Sequence, residues 1–156
     1  MRASLALFVA LLFQSPAALL PPEPPVEIAA KTWLIRPTPM PGRGPDGNTI
    51  IYDAPDGLVI VDTGRHSSQT DAILAFAREH TKPIVAIVNT HWHLDHASGN
   101  GRLKAAFPKA KVYTTAAIDT VLAPGGFLAR NLEAASGMAG SVTEPTQKDE
   151  IQIFMT

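Results

Sequence analysis

Cysteine is absent from this 156-residue chain. With it go disulfides, thiolate zinc fingers, a cysteine nucleophile and a lipid-modified cysteine anchor. Charge is also sparse: Asp, Glu, Lys and Arg make up 17% of the residues and nearly cancel, to a net −1. With no basic run anywhere, the chain offers no electrostatic footprint for nucleic acid or anionic lipid. Long apolar stretches are missing too. The uninterrupted run Leu5 to Phe13 covers nine residues, against the roughly 20 that a membrane-spanning helix needs. What is plentiful is apolar content, 46%, which excludes a disordered chain and can build the core of one ordinary domain.

The short apolar run has a meaning of its own. Met1-Arg2 supplies a positive charge ahead of it, and Ser15-Pro16-Ala17 offers small residues for cleavage after it. This is the layout of a secretory signal peptide over residues 1–17, and it predicts an exported protein, periplasmic or secreted, with no stable membrane insertion after cleavage. Residues 18–25 read as a stiff proline-rich linker. Most of the 14 prolines precede residue 60, so the domain proper, 26–156, opens on extended and turn-rich chain.

From Val26 to Arg36 the mixture of β-branched, aromatic and polar residues predicts a first strand, and Pro37 to Gly47 a loop. Thr49 to Tyr52 and Leu58 to Val61 read as strands joined by a Pro-Asp-Gly turn, a hairpin signal because glycine tolerates positive φ. A helix is expected from about Ser67, with Ser68 and Asp71 in capping-box spacing and Ile73, Leu74 and Ala77 on its apolar face. Lys82-Pro83 stops it. Ile84 to Val88 is apolar at consecutive positions, as expected of a strand covered on both faces. Beyond it, Gly101 to Phe107, Ala116 to Leu122 and Phe127 to Ala135 read as helical, and Lys111 to Thr115 and Ile151 to Phe154 as strands. The alternation describes an α/β layered domain.

Directly after the apolar strand stands the most informative segment, His91-Trp92-His93-Leu94-Asp95-His96, with three of the five histidines in six residues. Imidazoles and a carboxylate packed this densely are costly to bury unless something pairs with them, and a divalent cation is the obvious partner. In an extended segment His91, His93 and Asp95 point the same way, so His91 and His93 can grip one ion. Asp95 and His96 would diverge at the turn into the next helix and face a second. Nitrogen and oxygen donors of this kind serve zinc, iron or manganese.

His91-x-His93-x-Asp95-His96, preceded by Asn89-Thr90 and followed by Ala97-Ser98-Gly99-Asn100, resembles the metal-binding motif of the metallo-β-lactamase superfamily. Asp62-Thr63-Gly64, at the end of a strand before a helix, is similar to a second landmark of that family. The resemblance implies the N-terminal half of an αββα sandwich, and a metal-dependent hydrolase whose metal-activated water cleaves an ester, thioester, lactam or phosphodiester bond of a small-molecule substrate. It further implies His91, His93, Asp95 and His96 as metal ligands, one or two zinc ions, Asp95 as a catalytic group, and Asp62 as a support that orients the site through hydrogen bonds. The family completes its site with later histidines and a bridging aspartate or cysteine. This chain has no histidine after His96, so a partial, truncated member is expected, with an incomplete sandwich whose uncovered sheet face invites self-association. Two non-catalytic readings stand beside the enzyme: a half-domain that binds metal weakly, and a secreted interaction module.

Other residues carry plainer expectations. Asp62 is equally a turn former. His66 reads as a solvent-facing loop histidine, and His80 as a helix-closing residue that complements the dipole. Trp92 should point away from its flanking histidines, for packing, and Gly125-Gly126 reads as a helix break.

Overall fold

A computed structural model describes residues 23–37, 44–126 and 130. The expected signal peptide and the strand over Ile151 to Phe154 lie outside the described residues, as does the helix over Phe127 to Ala135 apart from Arg130. Six strands form one sheet in sequential order: β1 (Val26–Ala29), β2 (Thr32–Ile35), β3 (Thr49–Ala54), β4 (Gly57–Val61), β5 (Ile84–Val88) and β6 (Lys111–Tyr113). The first four run antiparallel to one another, and β4, β5 and β6 are parallel. Parallel neighbours need crossover connections. One is α1 (Ser67–Glu79), between β4 and β5; the other contains α2 (Leu94–Ala97) and α3 (Asn100–Ala106). A short α4 (Ala117–Leu122) follows β6. The layered α/β class expected from the sequence is what the chain adopts, as an incomplete domain. Among the described residues no helix is long and apolar enough to cross a membrane.

Local chemistry accounts for most of this. The β3–β4 hairpin closes at the Ala54–Gly57 pair, leaving Pro55-Asp56 as the connection. Gly57 has φ +144°, and a Cβ there would come within 2.5 Å of the Pro83 carbonyl oxygen, so glycine serves both conformation and close approach. Helix α1 is amphipathic and buries Ile73, Phe76 and Ala77 against Ile35, Ile51, Leu58, Ile60, Ile84 and Ile87 of the sheet. Leu103 of α3, fully buried, joins the same cluster. His80 closes α1 as expected, its Nδ1 3.0 Å from the Phe76 carbonyl oxygen and its ring stacked on Phe76 at 3.8 Å.

Three expectations are corrected. The segment Val26 to Arg36 is not one strand: it folds back as a hairpin, with Lys31 at φ 58° in the turn. No Gly or Pro marks that turn, so the sequence pattern hides it. The capping box at Ser68 and Asp71 does not form. Helix α1 starts at Ser67 without a side-chain cap of its own from His66, and Asp71 instead pairs with Arg102 of α3. Finally, among the described residues β5 is fully covered on one face only. Ile84 and Ile87 are buried, while Val85, Ala86 and Val88 stay half-buried. Register places Val26, Leu34, Ile50, Val61, Val88 and Tyr113 side by side across all six strands, on the face away from α1 and α3. Its outer members Val26 and Tyr113 are 44% and 51% exposed.

Replacing Leu103 with alanine should cost about 2–5 kcal/mol, the usual range for emptying a buried leucine site, read from urea or thermal unfolding. A milder effect is expected where Lys82 pairs with Asp53. The hydrogen bond from Lys82 holds the Asp53 carboxyl below its ordinary value. Its stabilisation is therefore present above the unfolded carboxylate pKa and fades as pH falls through the lowered folded value. Asp53→Asn should flatten the acid limb of the stability profile slightly, with solvent and salt keeping the effect small.

Candidate metal centre

The carboxyl ends of parallel strands are where α/β sheets gather functional groups, and here β4 delivers Asp62 while β5 delivers Asn89 and Thr90. The Asp62 amide donates to the Val88 carbonyl at 2.9 Å, and the Asn89 amide to the Tyr113 carbonyl at 2.9 Å. Asp62 takes φ 59°, a conformation that aspartate tolerates better than most residues. Its side chain then turns under the segment after β5 and is almost fully buried, at 4% exposure.

That carboxylate organises the cluster. Oδ1 accepts from the Thr90 amide at 2.8 Å; Oδ2 accepts from the Thr90 hydroxyl at 2.8 Å and from His96 Nδ1 at 2.7 Å. With its proton given to Asp62, Thr90 Oγ1 is left to accept from His91 Nδ1, 3.1 Å away. Both His91 and His96 are thus tied at Nδ1, directly or through Thr90, and each keeps Nε2 for another partner. A carboxylate that fixes imidazole tautomers in this way is the usual outer support of a histidine metal site.

The rings themselves crowd together. His91 lies 4.0 Å from His96 and 4.5 Å from His93, centroid to centroid. Burial, reinforced by the nearby His96 and His93 rings, lowers the His91 pKa below the ordinary histidine value, against the opposing pull of Asp62 and Asp95. A neutral imidazole with a free lone pair is the form that ligates a metal. Asp95 Oδ2 stands 3.0 Å from His96 Nε2. With Nδ1 turned to Asp62, His96 Nε2 and the Asp95 carboxylate set a nitrogen and an oxygen donor side by side. The donor chemistry fits a divalent metal with nitrogen and oxygen preferences. Among the described residues, however, no three of these side chains are arranged to hold one ion.

Backbone contacts set the loop. The His96 carbonyl oxygen accepts from the Thr63 amide at 2.8 Å and from Asn89 Nδ2 at 2.8 Å. Asn100 Nδ2 donates to Asn89 Oδ1 at 2.7 Å, and Thr63 Oγ1 to Asn100 Oδ1 at 3.0 Å.

Several expectations change here. Residues 91–93 are bends rather than an extended strand, and α2 begins at Leu94. Asp95 and His96 therefore pair with each other instead of diverging, and His96 packs against His91. Trp92 does not point clear of its neighbours: its ring meets His93 edge-on at 4.6 Å. His66 is no surface residue; at 2% exposure it is buried beside Asp46. Asp62 is more than a turn former, because its carboxylate accepts three bonds from Thr90 and His96. Thr90, Asn89, Asn100 and Thr63 complete the framework. The flanking Asn89-Thr90 and Asn100 were visible as neighbours of the histidine motif, but nothing local announced their pairing with Thr63.

The sequence model of the metallo-β-lactamase superfamily matches residues 42–150. The chain belongs to that superfamily. It is 35% identical over 121 residues to an (R)-specific secondary-alkylsulfatase of Pseudomonas sp., covering 72% of this chain and 16% of that protein. Over 50 residues it is 50% identical to a linear primary-alkylsulfatase of Pseudomonas sp. (strain ATCC 19151), covering 31% of this chain and 10% of the relative. Among solved structures it resembles the metallo-β-lactamase FIM-1 of Pseudomonas aeruginosa in its mono-zinc form, at 26% identity and a TM-score of 0.52. That match covers 62% of this chain and 43% of FIM-1. The chain therefore spans less than half the length of each of these proteins.

Asp62→Ala removes the acceptor shared by Thr90 and His96. In the metal-free protein the imidazole ¹⁵N spectrum should show His96 losing its fixed Nδ1–H form. Zinc affinity, measured by competition with a chelating dye, should fall about 10- to 100-fold, the usual cost of losing an outer-shell partner. Unchanged affinity would take Asp62 out of the site.

Proposed function

We propose that this protein is a metal-dependent hydrolase acting on a small molecule, with an alkyl sulfate ester as the substrate class best supported. The carrying observation is the Asp62 hub, which holds His96 by Nδ1 directly and His91 by Nδ1 through Thr90, and leaves His96 Nε2 beside the Asp95 carboxylate. The superfamily membership supports the reaction type, and the two alkylsulfatase relatives support the sulfate ester. Lactam, thioester, carboxylic ester and phosphodiester bonds are the competing substrates.

In this reading His91 and His93 hold one ion, and Asp95 with His96 a second. Zinc is favoured over iron or manganese because of the mono-zinc relative. Bound zinc supplies a Lewis acid and brings the pKa of its water down towards 7. The protein's own residues do the rest. Asp62 and Thr90 keep His91 and His96 from rotating. The carboxylate of Asp95 accepts the proton of the attacking water and can return it to the leaving alcohol. For a sulfate ester the balance is R–O–SO₃⁻ + H₂O → R–OH + HSO₄⁻. The leader-like residues 1–17 support an exported site of action.

The donors that do not converge among the described residues favour one alternative, a half-domain that binds metal weakly and needs further ligands. The apolar row across the sheet supports self-association as its companion property.

Zinc content and hydrolysis decide between them. The purified chain should retain zinc after desalting and release sulfate from octyl sulfate faster than from lactam, thioester and phosphodiester probes, with His91→Ala/His93→Ala abolishing turnover. Zinc at background level would end the hydrolase reading. A melting temperature indifferent to zinc and chelator, with oligomers by light scattering, would establish the half-domain.

A further inference from the structure

Helix α1 has no acidic residue in its first turn and no side-chain cap from its own N-cap residue, yet a carboxylate sits at its start. It comes from Asp46, twenty residues upstream. Asp46 Oδ1 accepts from the backbone amides of Arg65 and His66, and Oδ2 meets His66 Nδ1 at 2.8 Å. Both side chains are only 2% exposed. Burying such a pair is expensive, and its hydrogen bonds at the helix start offset part of that cost.

The residue next to Asp46 touches the metal centre. The Gly47 amide donates to the Asp95 carbonyl oxygen at 2.9 Å. A Cβ on Gly47 would lie 2.7 Å from that oxygen, 3.0 Å from His96 Cε1 and 3.1 Å from His96 Nδ1. Residue 47 is thus pressed against the backbone of one candidate ligand and the ring of the next. On its other side Gln69 of α1 donates from Nε2 to Thr49 Oγ1 at 3.0 Å, and contacts the Gly47 carbonyl oxygen at 3.5 Å. Residues 46–49 are therefore fixed from below by α1 and bear on Asp95 and His96 from above.

We infer that Asp46 and His66 are positioning residues: their buried pair clamps residues 46–49 to the start of α1, and Gly47 in turn sets where Asp95 and His96 stand. The route from this pair to the candidate ligands runs through the neighbouring Gly47 amide, which donates to the Asp95 carbonyl oxygen. The pair does more than hold the fold together, because a side chain on the element it secures would come within 3.0 Å of the His96 ring.

The test uses the full chain, metal-free and then with zinc; only the zinc measurement rests on the hydrolase reading. His66→Phe keeps a ring and removes the donor, whereas His66→Asn restores a donor near the Nδ1 position. In the metal-free protein, His66→Phe should speed hydrogen exchange of the Gly47 amide at least tenfold and move the His96 imidazole ¹⁵N signals, and His66→Asn should recover most of both. Zinc affinity should weaken about tenfold in the first variant, as for other outer-shell losses, and return in the second. His66→Phe that folds with Gly47 protection and His96 signals unchanged would overturn the inference. Should that variant not fold, Asp46→Asn decides, because it keeps an acceptor for the Arg65 and His66 amides and disrupts the contact with His66 Nδ1: displaced His96 signals support the clamp, and unmoved signals overturn it. If the unaltered chain binds no zinc, the hydrolase reading falls, while the metal-free signals still judge the clamp.

Discussion

One buried carboxylate governs the functional end of this protein. Asp62 sits at the end of β4 in a left-handed backbone conformation and is nearly sealed from solvent. Left unpaired there it would be costly. It is satisfied instead by the Thr90 amide, the Thr90 hydroxyl and His96 Nδ1. Those three bonds tie the ends of two parallel strands to the helix that follows, and they decide which nitrogen of each key histidine is offered outward. The same bonds are thus fold and chemistry at once.

Around that carboxylate the protein has two layers of support. The inner one is the polar net of Thr63, Asn89 and Asn100, which converges on the His96 backbone carbonyl. The outer one is the Asp46–His66 pair with Gly47, whose amide donates to the carbonyl oxygen of the adjacent Asp95. His96 is consequently held at its carbonyl and at its ring by elements far apart in the chain. The neighbouring histidines are less constrained: His93 is exposed and His91 half-buried.

Much of this was legible in the sequence wherever the signal was local. The histidine–aspartate motif needed only six consecutive residues. The runs Leu58 to Val61 and Ile84 to Val88 declared two strands, and Pro-Asp-Gly declared the hairpin between β3 and β4. The failures share a cause, which is pairing at a distance. Ala30-Lys31 makes a turn without turn residues, because the strands on either side pair well enough to carry Lys31 in a positive φ. Ser68 and Asp71 looked like a capping box, but the helix start is served by Asp46 and Asp71 is drawn to Arg102. His66 looked like a loop histidine because its partner lies twenty positions away in a proline-rich segment with no periodicity.

Strand β4 carries a practical geometry. Its Gly57 end forms the tight hairpin with β3, and its other end hands over to Asp62. Five residues of extended chain at about 3.3 Å each set these two ends roughly 16 Å apart. The Pro55-Asp56 tip therefore offers an attachment point for a spectroscopic probe or a surface tether, at the end of β4 away from His91, His93 and His96. Its distance from them is set by the length of β4.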